Sequence, residues 1–220
     1  MRRFARFLAP LALVLPLFVA QSVPVAASAP PSACNVNFKG QDLLAPAGGG
    51  ASIQTYRLNS DCSVTAGPIS TLKRGTKAFD AFRASHGSRQ SGIVDPGCNS
   101  ELDYDDHIGI ILTYTWLDMN YAYNYGAGQV TSVGPYYRQA SAANDGWYII
   151  STSFSPWNGP IPYGTVTSSY NGTFAWVFGS FWHSGTNHNR ANGFGVCDGW
   201  PSESGSVVPG GYWAWAVWQT

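Results

Sequence analysis

From Ile108 onward, apolar and polar residues alternate with a period of two, and Gly, Pro and Asn interrupt the alternation at short intervals. Successive side chains of an extended strand point to opposite faces, so this period fits half-buried β-strands; an amphipathic helix needs apolar positions three and four apart. Ile108–Trp116 is rich in the β-branched and aromatic residues that suit a pleated surface, and Tyr121, Tyr123 and Tyr125 share one face opposite Asn120, Ala122 and Asn124. Trp147–Phe154 predicts another strand, as do the stretches near Phe194–Cys197 and Tyr212–Trp218. Asn171-Gly172, between Val166–Tyr170 and Thr173–Phe178, predicts a tight type I′ hairpin turn. In the last strand Trp213, Trp215 and Val217 oppose Tyr212, Ala214, Ala216 and Trp218, and both faces cannot be equally dry unless the sheet is covered on each side.

Upstream, Asn35–Phe38 predicts a short strand, and Ile53–Leu58 with Cys62–Thr65 a hairpin. Residues 76–86 predict the one helix: Thr76 can cap it, Phe79 and Phe82 lie on one face, and Gly87 supplies the stop. Roughly nine or ten short strands with a single helix and no βαβ alternation indicate an all-β fold, an antiparallel β-sandwich or jelly-roll-like barrel. An aromatic content of 15% supplies a large core, and disorder is excluded.

The N-terminus reads as an export signal. Arg2, Arg3 and Arg6 precede the apolar stretch Phe7–Ala20, which two prolines break and which is too short to span about 30 Å of hydrocarbon. Val25-Ala26-Ala27 places cleavage after Ala27, giving residues 1–27 as signal peptide and 28–220 as a single secreted β-rich domain. Within it residues 28–50, ending in Gly48-Gly49-Gly50, are expected to be partly flexible. The mature chain then has no transmembrane segment and an extracellular destination. Removing three arginines from twelve basic groups leaves nine against twelve acidic ones, a net charge of −3. A nucleic-acid partner, which needs a basic surface, is excluded. Four cysteines in an oxidising space favour two disulfides, and the lower closure cost of a local pair selects Cys34–Cys62, leaving Cys98–Cys197.

No nucleophile elbow, zinc-protease helix, phosphate loop or dinucleotide fingerprint is present. The densest polar group is the run from Asp95 to His107, in which an extended backbone would point Glu101, Asp103 and Asp105 the same way. Three readings compete for it. It is a solvated acidic loop, or a Ca²⁺ site formed by Glu101, Asp103, Asp105 and Asp106, or part of a catalytic carboxylate pair in which Glu101 works with Glu203 or a neighbouring Asp. His183 and His188, read as lying on a polar loop with Asn187 and Arg190, offer a general base or metal ligands. Trp157 and Trp200 each adjoin a proline-containing loop and are candidate exposed platforms for sugar rings. The resulting expectation is a secreted β-sandwich that binds a glycan or cell-envelope polymer through Trp157, Trp200, Asn187 and Arg190, with calcium as the candidate cofactor. The alternatives are a secreted glycan hydrolase using Glu101, Glu203 or His183, and a structural or toxin-like surface protein.

Overall fold

The computed structural model describes residues 32–86, 97–143, 146–179 and 181–219. The expected signal peptide and the helix stop at Gly87 lie outside them. The described residues form two antiparallel sheets packed as a sandwich with one short helix. The six-stranded sheet is ordered β1 (Cys34–Lys39), β12 (Cys197–Val207), β11 (Trp182–Asn192), β10 (Thr165–Trp176), β9 (Trp147–Ser155), and β2 (Leu43–Leu44) also pairs with β12. In the seven-stranded sheet the order is β4 (Val64–Ala66), β3 (Gly50–Leu58), β13 (Tyr212–Gln219), β6 (Gly97–Asp105), β7 (Ile111–Asn124), β8 (Gln129–Ala142), with β5 (Ser70–Lys73) also on β3. Among the described residues no helix is long and apolar enough to cross a membrane.

Both disulfides form as the sequence arithmetic expects, Cys34–Cys62 and Cys98–Cys197. The second joins β6 to β12 and so staples one sheet to the other. Between the sheets, Trp213, Trp215 and Val217 of β13 pack with Leu102, Tyr104, Met119 and Val166. The opposite face of β13 is also covered, by helix α1 (Lys77–His86), whose Phe79 and Phe82 close a second core over Trp116, Ala216 and Trp218. Phe82 meets Trp218 edge-on at 5.4 Å. The Thr76 hydroxyl accepts a hydrogen bond from the Phe79 amide at 3.2 Å, so the expected cap forms.

Three expectations are corrected. Asn171-Gly172 makes no turn; it lies mid-strand in β10, where Asn171 pairs with Thr186 and Gly172 with Gly185. Gly172 faces the other sheet, and a Cβ there would come within 2.6 Å of Thr115 Cγ2, so glycine serves sheet-to-sheet approach. Residues 183–190 form strand β11 rather than a loop. The acidic run from Glu101 to Asp105 is likewise a strand, β6, held between β13 and β7 and buried along its length.

Candidate functional site

Alternation along β6 sends Leu102 and Tyr104 into the sandwich and Asn99, Glu101, Asp103 and Asp105 to the outer face of the seven-stranded sheet. On neighbouring strands Asp118 stands opposite Asn99, Trp116 opposite Glu101, and Tyr212 opposite Asp105. Burial pushes the Asp118 carboxyl up to about 7, against which the Asn120 amide, 3.4 Å away, is the opposing influence. Asp105 is pushed up to about 6 by burial and by the charge of Asp106, with a hydrogen bond from Tyr212 acting the other way. Asp106 leaves this row. It sits in the β6–β7 turn, where Oδ1 accepts hydrogen bonds from the amides of Ile108 and Ile110, each at 2.9 Å. Those backbone donors hold its carboxyl below the usual range. Among the described residues, no three His, Cys, Asp or Glu side chains are grouped so as to hold a metal ion.

The carboxylate pair expected from Glu101 and Glu203 is not assembled. Glu101 lies on the outer face of the seven-stranded sheet, whereas Glu203 projects from β12 into the sandwich, close to Leu102 and Gly185. The sheet itself separates them. Glu101 and Asp103 are 1% and 4% exposed, which closes that row to a polymer substrate. Glu203 instead accepts from, or holds, His183 Nδ1 at 3.0 Å, and His183 Nε2 lies 2.8 Å from the Thr113 hydroxyl. Tyr104, Trp147 and Phe174 surround the imidazole at ring-centroid distances of 4.9, 5.3 and 5.0 Å. These linked side chains bridge the two sheets in a buried layer and give a candidate base no route to a ligand.

Asn187 is also interior. Its Nδ2 donates to the carbonyls of Ser100 and Thr115, and its Oδ1 accepts from the Thr115 hydroxyl at 2.8 Å. Asn189, two residues on, donates to the carbonyls of Cys98 and Leu117. These amides tie β11 to the backbones of β6 and β7, so Asn187 has no capacity left for a glycan. His183 and His188 are five residues apart on one strand and therefore face opposite sides; they cannot share a metal ion.

The solvent-facing side of the six-stranded sheet carries a different arrangement. Strand registers align Asn37, Ser204, Ser184, Thr173 and Ser151 in one row across five strands, and Lys39, Ser202, Thr186, Asn171 and Ser153 in the next. Apart from Lys39 these side chains are uncharged hydroxyls or amides. They are also mutually ordered: Asn171 Nδ2 donates to the hydroxyls of Ser184 and Thr186, both at 2.8 Å, and Thr173 shares a hydrogen bond with Ser184 at 3.1 Å. Trp182 and Tyr148 border one end of the grid. Trp200 and His188 border the other, stacked at 4.9 Å and 9°. Burial and the nearby Lys39 charge push the His188 imidazole down to about 4, so it is neutral in this stack at ordinary pH.

Trp200 is thus partly buried rather than free, with His188 stacked on the indole and Lys39 Nζ 4.8 Å from its ring centre. Arg190 beside it forks onto Asp198 at 2.8 and 3.1 Å and reaches Asp42 at 2.8 Å. Trp157 folds back against the core beside Tyr163, and its indole nitrogen is buried. Period-two spacing of Ser, Thr and Asn along β10, β11 and β12 was the available signal for the grid; its rows exist only once the registers align them. Comparison with known proteins yields no matching family model, no matching curated protein and no matching solved structure.

Proposed function

We propose that this chain is a secreted binding module that holds an uncharged, hydroxyl-rich glycan or cell-envelope polymer along the outer face of its six-stranded sheet. The observation that carries the reading is the two-row grid of Ser, Thr and Asn side chains spanning five strands. Hydroxyls and amides offer both donors and acceptors, which matches the hydrogen-bonding repertoire of a sugar polymer. Side chains already ordered by Asn171 lose less conformational freedom on binding. Trp182 and Tyr148 supply apolar ring surface at the border, and the near-absence of charge disfavours a polyanion. Two disulfides fit an oxidising destination.

The test is retention on insoluble polysaccharides such as cellulose, chitin and peptidoglycan, with released reducing sugar measured in parallel. Retention without release is expected. Ser184→Glu with Thr173→Glu should cut retention at least tenfold while leaving the melting temperature within a few degrees. Equal retention of wild type and variant, or release of sugar, would overturn the reading.

A further inference from the structure

The end of the sandwich beyond the His183 layer is built differently from the rest of the surface. Among the described residues, the β6–β7 turn (106–110), Ala143 and Gly146 from between β8 and β9, and residues 177–179 after β10 lie there. Backbone hydrogen bonds run from the Ala143 amide to the Leu112 carbonyl at the start of β7 at 2.7 Å and from the Val177 amide to the Gly146 carbonyl at 2.9 Å. Their apolar side chains point outward. Phe178 is 80% exposed, Ile108 68%, Val177 56% and Ile110 53%. A soluble surface seldom gathers this much exposed apolar area without a partner for it.

These turns are held in shape. Asp106 accepts from the amides of both Ile108 and Ile110, its own amide donates to the Ile110 carbonyl at 3.0 Å, and Gly109 takes the left-handed conformation at φ 85°. The last acidic residue of the run therefore serves to present two isoleucines. On the other turn the Trp176 amide donates to the Phe181 carbonyl, and the Trp176 ring supports Phe178 edge-on at 5.6 Å. Trp182 and Tyr148 lie one step back from the apex, partly exposed.

We infer that this end inserts into the surface of an electrically neutral lipid bilayer. Two convex apolar turns suit a fluid phase that closes around them, whereas a rigid protein partner would need matching concavities. Tryptophan and tyrosine set back from the apex sit where their amphipathic rings favour the headgroup level. In sequence the three connections, 106–110, 143–146 and 177–181, contain no Lys or Arg and two carboxylates, Asp106 and Asp145. That composition gives no attraction to anionic headgroups and commits the partner to a zwitterionic surface.

Flotation of the intact protein with phosphatidylcholine vesicles tests the inference. Binding should be insensitive to ionic strength and should quench tryptophan fluorescence when brominated lipid is used. Phe178→Ser and Ile108→Ser should each lower partitioning roughly tenfold or more, the effect of withdrawing one large apolar side chain from the interface. Both positions are exposed, so far-ultraviolet circular dichroism of each variant should match wild type. Absence of flotation, or flotation unchanged in both variants, would overturn the inference. So would self-association, seen by sedimentation, that the same substitutions abolish while vesicle binding stays absent; that result would assign the patch to a second copy of the chain.

Discussion

Asp118 offers the sharpest test of how the covered acidic face is built. The residue has no measurable exposure, and its Oδ1 lacks a hydrogen-bond partner among the described residues. Burial pushes its carboxyl from 3.8 in the unfolded chain up to about 7 in the folded one. A raised acid pKa means that the folded state binds the proton more tightly than the unfolded state. Below pH 3.8 both forms are protonated and folding suffers no penalty. Between there and about pH 7 the unfolded chain gives up its proton while the folded one keeps it, so stability falls as pH rises; above that the penalty is constant. Roughly three pH units at about 1.4 kcal/mol each give about 4 kcal/mol. Asp118→Asn keeps the shape and removes the charge. It should leave stability unchanged near pH 3.5 and raise it by about 4 kcal/mol at pH 8, or roughly 10 °C in melting temperature for a domain of this size. Thermal melts of wild type and variant across that range measure the difference directly, and other titrating groups cancel. A difference that is the same at both pH values, or a variant less stable than wild type at pH 8, would refute the assignment of a buried, proton-retaining carboxyl.

Replacing Cys98 and Cys197 by serine opens a closure of 99 residues and should cost about 4.7 kcal/mol in the chain-entropy account, against about 3.6 kcal/mol for Cys34 and Cys62 with a separation of 28; denaturant titration of the two double variants checks the order. Asn189→Leu should destabilise by roughly 2–4 kcal/mol, because the carbonyls of Cys98 and Leu117 lose their side-chain donor inside the sandwich, and the loss should appear in chemical unfolding.

Local periodicity was enough to predict the all-β class, the helix with its Thr76 cap, and the division of β13 into two aromatic-bearing faces, both of which the fold covers. The alternation of Glu101, Asp103 and Asp105 on one side was equally legible, because a strand's side-chain direction depends only on its own backbone. What each face meets depends on residues far away in the chain. The acidic run reads as a loop because charge ordinarily seeks water; its placement between β13 and β7 is a product of long-range pairing. Asn171-Gly172 carries a strong turn signal, yet eleven residues paired with β11 and eight with β9 outweigh a two-residue preference. Asn187 and His188 are neighbours in sequence with opposite fates. One is spent on the carbonyls of the facing sheet and the other stacks on Trp200 at the surface, because successive residues of β11 face opposite sides and only the packing of two sheets decides which side is dry.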